Sequence, residues 1–239
     1  MNIWLLISLI VVGAIVENLA HGHGITKESL DEISAAGVDF FTSGNHVWEG
    51  KDSTSLLEDK KLPLVRPANY PPKAPGKGFC ILQVGTKRLL VINLMGRVFM
   101  KVQIDCPMRK ADEILEGIEE QGVDAIFVDF HAEATSEKRV LGFYLDGRVS
   151  GIVGTHTHVP TADEQILPEG TGYISDVGMC GVLQSSLGVD KDIMIKDMLT
   201  QVPQKKEIAE GAVEIGAVMF DIGRDQKCIK VKRIREIVD

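Results

Sequence analysis

Ala125-Ile126-Phe127-Val128-Asp129-Phe130-His131-Ala132-Glu133 is an apolar run that ends on a histidine and a carboxylate. Its short length and its β-branched and aromatic content predict a strand from Ala125 to Phe130, ending at His131. The same arrangement recurs on both sides of it. Upstream, Val38-Asp39-Phe40-Phe41-Thr42 reads as a strand with Gly44-Asn45-His46 on the loop at its C-terminal end. Downstream, a short strand over Gly151 to Gly154 runs into Thr155-His156-Thr157-His158. Near the N-terminus, the almost wholly apolar residues 3–16 lead into Glu17-Asn18. That stretch is too short for a membrane span of about 20 residues. It also lacks the basic residues of a signal peptide, because no Lys or Arg precedes Lys27. It is expected to be a buried strand of a parallel sheet.

Helical spacing fills the intervals. Thr26 is placed to cap a helix over about 27–36, with Leu30 and Ile33 on one face and Gly37 ending it. Further helices are expected over about 107–121, 136–146 and 190–199. Phe79 to Val84 and Leu89 to Leu94 form a hairpin turned by Gly85-Thr86-Lys87, and a second hairpin closes the chain at about 212–222 and 227–234. Residues 63–78, rich in Pro and Gly, form a long loop, and Tyr173-Ile174-Ser175 is a further apolar stretch. Alternating strands and helices with added hairpins predict an α/β fold with a mixed sheet. No repeat, low-complexity stretch or linker divides the chain, so residues 1–239 are expected to form a single domain.

At 239 residues the chain is long enough for a large buried core. Its 44% hydrophobic and 25% charged content is ordinary for a soluble globular protein. A net charge of −8 excludes a general nucleic-acid coat, which needs clustered Lys and Arg. It leaves room for a small anionic substrate, since bound dications reverse a local field. Cys80, Cys106, Cys180 and Cys228 have no paired spacing, and suit free thiols of a reducing compartment better than a disulfide framework.

His, Asn and carboxylate groups at several strand ends make the mixed nitrogen and oxygen set that suits Mn, Fe or Zn. In open α/β sheets, ligands collect beyond the carboxyl ends of the strands, where all these groups fall. His156 and His158, at i and i+2, point to opposite sides of an extended segment and would straddle two metals. Glu17 has two oxygens and can bridge cations about 3.5–4 Å apart. Asn45 and His131 could complete a shell. A water held between two such metals is ionised near neutral pH, as a bridging hydroxide, and the cations take up charge on phosphoryl oxygens. His46, beside Asn45, is placed to protonate a leaving oxygen.

The set Glu17-Asn18, Thr42 to Trp48, Arg66 to Pro71, Asn93 to Arg97, Asp129 to Lys138 and Val153 to Val159 resembles the calcineurin-like metallophosphoesterases. The likeness is to a branch of small bacterial cytoplasmic members described as 2′,3′-cyclic-nucleotide 2′-phosphodiesterases, and it runs from about Val16 to the C-terminus. It implies an αββα sandwich, two divalent metals (Fe or Mn, with Zn also accepted), a small cyclic-nucleotide substrate, a cytoplasmic location and a homo-oligomer. It further implies that Glu17 bridges, that Asn45, His131 and His156 hold one metal, and that His158 holds the other. Asn18 then supports the site and His46 is catalytic. Family members open with a strand ending in Gly-Asp-Val-Val-Gly, whose Asp binds the same metal as the last His, followed by a helix. Here about sixteen residues precede Glu17 and no Asp occurs before Asp31, so the N-terminal strand–helix unit reads as missing. Residues 100–103 and 180–184 depart from the pattern in expected loops.

Other readings compete. Taken alone, His131 is an ordinary hydrogen-bonded histidine. HxH also marks amidohydrolase barrels, but early in the chain, whereas here it comes late. His21 and His23, on a Gly-rich loop, read as solvated or substrate-facing, and Asp129 and Asp176 as either partners that orient histidines or plain strand-end residues. Arg66 and Arg97 read as surface salt-bridge residues. Against the enzyme stands a degenerate chain that binds one metal or none and serves as a nucleotide-binding module.

Overall fold

The computed structural model describes residues 9–20 and 22–239. The first half of the chain gives β1 (Gly13–Ile15), α1 (Lys27–Ala35), β2 (Phe40–Thr42), α2 (Ser53–Glu58), β3 (Phe79–Val84), β4 (Lys87–Met95) and α3 (Pro107–Ile118). β5 (Ala125–His131), α4 (Thr135–Leu145), β6 (Gly151–Thr155), β7 (Gln165–Ile166) and β8 (Gly172–Ile174) follow. The remainder gives β9 (Cys180–Val182), β10 (Ser185–Ser186), β11 (Val189–Asp190), α5 (Lys191–Thr200), β12 (Val213–Ile222) and β13 (Cys228–Val238).

The central sheet has six strands in the order β3-β4-β5-β6-β8-β7. β4, β5, β6 and β8 run parallel, and β3 and β7 join antiparallel at the two edges, so the sheet is mixed. Side chains alternate between the faces of a strand. On one face Leu90, Ile92, Ile126, Val128, Phe130 and Ile152 pack with Ala111, Ile114 and Ile118 of α3 and Leu141 and Leu145 of α4. Each such fully buried side chain contributes about 1.5–3 kcal/mol relative to exposure. That packing fixes β5 between its neighbours, and with it the place of His131.

The alternate positions, among them Asn93, Asp129, His131 and Thr155, point to the opposite face. There the hairpin β12–β13 lies against the sheet, with the Phe220 ring 6.0 Å from that of Phe127. Gly172 gives this ring its space, since a Cβ there would meet it at 2.5 Å. β9 extends the hairpin to a three-stranded second sheet. The chain is therefore a mixed α/β fold layered helix, sheet, sheet, which accounts for three of the four layers of the αββα sandwich that the resemblance implies. A separate apolar cluster of Val16, Ile25, Leu30, Phe41, Leu56, Leu57 and Leu64 joins α1 and α2 to the parallel pair β1–β2.

Thr26 caps α1 as expected, its hydroxyl accepting from the Ser29 amide in a capping box. The N-terminal run departs from expectation. Residues 3–8 of it lie outside the described residues, and of the rest only Gly13–Ile15 is strand. Leu9, Ile10 and Val12 are exposed rather than buried, Ile10 at 81%. Among the described residues β1 pairs with β2 alone, so the run is not interior to a sheet. Arg66 is also not a surface ion-pair residue. It is buried, and its guanidinium donates to the carbonyls of Pro75, Pro67 and Ala74, pinning the long loop.

Candidate metal centre

β1, β2, β5 and β6 end at the same edge of the molecule, and each delivers a polar group there. β1 runs into Val16, whose amide donates to Thr42 in β2, and so carries Glu17 to the edge beside the loop after β2. That loop is tied down at Ser43, whose amide donates to Asn93 Oδ1 (3.2 Å) and whose hydroxyl donates to the Val65 carbonyl. Gly44 follows because nothing larger fits: a Cβ there would fall on the His131 imidazole and the Glu17 carboxylate. Register in the central sheet sets His131 of β5 beside Thr155 of β6, directly before the two histidines.

Around His131 Nε2 the donor atoms converge. Asn45 Oδ1 lies at 2.8 Å, Glu17 Oε1 at 3.1 Å and His156 Nδ1 at 3.1 Å. His131 is fully buried and Glu17 is 2% exposed. One ring nitrogen carries at most one proton and cannot satisfy three acceptors at once. Two ligands about 2.1 Å from one cation and at right angles to each other lie about 3.0 Å apart, so the spacing is that of atoms sharing a metal. Two imidazoles, one carboxylate and one amide oxygen suit Mn, Fe or Zn, so Glu17, Asn45, His131 and His156 fit the implied cation.

The protonation pattern agrees. Burial alone would raise the Glu17 carboxyl, but the charge and hydrogen bond of His131, with the His46 amide, bring it below its ordinary value. Burial, then the charge of His131, lowers His156, and burial lowers His158. Glu17 is thus biased toward its ionised form and His156 and His158 toward their neutral forms, the forms that bind metals. Behind His131, Nδ1 meets the Thr155 hydroxyl (3.1 Å), which donates to Asp129 Oδ1 (2.8 Å). Burial holds the Asp129 carboxyl up at about 6. Such a relay fixes the imidazole's tautomer and orientation.

His158 stands apart from this group of four. Asn18 accepts from His158 Nε2 (3.0 Å) and donates to the Glu17 and Gly22 carbonyls (3.2 Å each). With Nε2 protonated, His158 Nδ1 is a buried lone pair without a partner, the kind of atom a second cation would take. Both histidines have positive φ, 104° for His156 and 65° for His158, in backbone that L-residues seldom adopt. Each such residue costs about 1–3 kcal/mol and persists only where its surroundings hold it. Here the Thr157 amide, between the two, donates to Asp176 Oδ2 (3.0 Å), and Gly178 donates to Oδ1 (2.9 Å). Asp176 in turn pairs with Lys138 at 2.7 Å, both nearly inaccessible.

His46 is the partly exposed member. Its amide donates to Glu17 Oε2 (2.8 Å), and its Nδ1 faces Glu49 Oε1 (2.7 Å), which leaves Nε2 for a ligand. His23 is exposed, with Nδ1 3.5 Å from Glu49 Oε2, and His21 lies outside the described residues.

The structure therefore brings Glu17, Asn45, His131 and His156 together, seats His158 on Asn18, and leaves the His46 imidazole at the rim. Sequence reasoning missed Glu49, Thr155, Lys138 and the contact of Glu133 with His156 Nε2 (3.0 Å). Glu49, three residues after His46, had a turn-spacing signal. Lys138 closes the Asp129–Lys138 stretch that carries the resemblance, but its role was missed because a lysine at that place on a helix reads as solvated.

Comparison with known proteins places the chain in a family. The family model described as YmdB-like protein matches residues 6–234. A 2′,3′-cyclic-nucleotide 2′-phosphodiesterase of Bacillus subtilis (strain 168) is 46% identical over 219 residues, covering 91% of this chain and 82% of that protein. A crystal structure of a hypothetical protein from Thermus thermophilus superposes with a TM-score of 0.88 at 42% identity, over 95% of this chain and 87% of that one. A novel phosphatase of Mycoplasma pneumoniae gives 0.86 at 32% identity, over 95% and 82%. The chain belongs to the YmdB-like family, and it is a hydrolase.

Proposed function

We propose that this hydrolase is a metal-dependent phosphodiesterase acting on small cyclic nucleotides. The observation that carries the reading is the meeting of Glu17, Asn45 and His156 at His131 Nε2, within 2.8–3.1 Å. The name of the Bacillus subtilis relative supports the substrate class. Glu17, Asn45, His131 and His156 would hold one divalent cation, and Glu17 with His158 a second. Bound there, such cations supply an ionised water and neutralise charge on phosphoryl oxygens.

The chain's own residues do the rest. Asp129, through Thr155, keeps the His131 ring fixed, and Asn18 fixes His158. Glu49 orients His46 by Nδ1, so that the imidazolium form can give its Nε2 proton to the leaving oxygen and return to neutral imidazole. The reading extends to a single domain in a reducing cytoplasm, supported by the four free cysteines, and to a homo-oligomer. α5 buries none of its residues and exposes Ile195, Met198 and Leu199, which offers a surface for that assembly. Among the described residues no helix is long and apolar enough to cross a membrane.

The test is hydrolysis of 2′,3′-cyclic AMP, followed by phosphorus NMR, on protein stripped with chelator and refilled with Mn. Activity lost on stripping and regained on refilling is expected. Turnover that ignores the chelator would overturn the reading.

A further inference from the structure

Beside the histidines lies a cleft of about 160 Å³, which begins at His158 and is lined by Val159, Met179, Val182, Leu183, Leu187 and Glu214. Several local features build it. Gly181 of β9 pairs with Glu214 of β12 and lines the cleft beside Met179. Leu187 and Gly188 turn the β10–β11 hairpin with positive φ of 52° and 91°, and the Gly188 amide donates to Ser185 Oγ. The turn holds Leu187 52% exposed at the cleft, and Val159 is 58% exposed. Glu214 is clamped by Arg235 through two hydrogen bonds of 3.0 and 2.8 Å, so an acceptor stays in place among apolar groups.

Size and chemistry limit the occupant. Whole-ligand sites measure about 300–1,000 Å³, so this cleft takes part of a ligand. A flat ring with apolar faces and N–H groups on its edge fits Met, Val and Leu walls beside one fixed carboxylate. We propose that the cleft binds the nucleobase of the substrate while its cyclic phosphate lies at the histidine cluster. This rests on the phosphodiesterase reading. Cyclic nucleotides would then bind better than the same sugar cyclic phosphate without a base, and the cleft would set the difference.

The experiment uses the full chain and a Val159→Ser/Leu187→Asn variant, whose changes lie at exposed positions. Asn suits the left-handed backbone at 187. Two readouts are taken. The first is KM for 2′,3′-cyclic AMP against KM for methyl riboside 2,3-cyclic phosphate, which has no base. The unsubstituted chain should favour the nucleotide about tenfold, the usual scale for losing a small apolar contact, and the variant should bring that ratio close to one. The second is adenosine binding by saturation-transfer NMR, which needs no turnover, and which the variant should weaken. A ratio near one in the unsubstituted chain, or one the variant leaves unchanged, overturns the cleft assignment. If neither phosphodiester is hydrolysed, the phosphodiesterase reading fails on its own. Adenosine binding then decides the cleft: loss of the signal in the variant supports it, and equal signals overturn it.

Discussion

Lys138→Met tests whether the buried ion pair holds the histidine loop. Lys138 Nζ and Asp176 Oδ2 are 2.7 Å apart, with side chains 1% and 2% exposed. Methionine replaces most of the lysine stem and removes the ammonium group, with its charge and its hydrogen bond to Asp176. Asp176 then remains as a buried carboxylate with two amide donors, those of Thr157 and Gly178, and no cation. Breaking a buried pair from one side costs about 3–5 kcal/mol. For a chain of this size each kcal/mol shifts Tm by about 2–4 °C, so calorimetry should record a fall of about 6–20 °C. Asp176→Asn, which keeps an acceptor for one amide, should cost less. Both variants should also weaken Mn binding by about 10–100-fold, because the two histidines lose the anchor of the strained peptide between them. A Lys138→Met protein that melts within about 2 °C of the unsubstituted chain and binds Mn as tightly would refute the reasoning.

Other outcomes follow from the same geometry. Gly44→Ala should abolish metal binding while far-UV circular dichroism stays unchanged, since its Cβ would occupy the space of the His131 and Glu17 side chains; an unaltered Mn isotherm would contradict that. His46→Ala should lower turnover of 2′,3′-cyclic AMP by about 10²–10⁴-fold with metal content retained, and unchanged turnover would remove His46 from the chemistry. Burial tends to raise the Asp163 carboxyl, but the hydroxyls of Ser175 and Thr161 and the Ser175 amide hold it below its ordinary value. Its contribution to stability is therefore complete above the unfolded value and lost as the pH falls through the folded one. Asp163→Asn should flatten the fall of Tm with acid below about pH 4, and parallel curves for the two proteins would count against it.

Much of this was legible in the chain. Elements with a clear period, α1, α3, β5 and the two hairpins, lie within a few residues of where their patterns put them, because apolar spacing and caps act locally. β7, β9, β10, β11 and α2 were not legible. They are two to six residues long, and tertiary pairing makes them rather than propensity. The N-terminal run misled because an apolar stretch reads as buried, whereas burial depends on neighbours and β1 has one strand partner among the described residues. In the site, the ligand types were visible as strand ends. What could not be read was which atoms share a point: that His131, Asn45, Glu17 and His156 converge while His158 pairs with Asn18 depends on how four strands, β1, β2, β5 and β6, are placed against one another. The pairing of Lys138 was hidden for the same reason, as only the fold turns its side chain inward toward Asp176.

The most direct test of the central claim is a count of metal ions per chain, by elemental mass spectrometry, after refilling with Mn and removing excess. The account predicts close to two ions in the unsubstituted chain, with the tighter one lost from His131→Ala. No bound Mn, or the same content in His131→Ala, would contradict it.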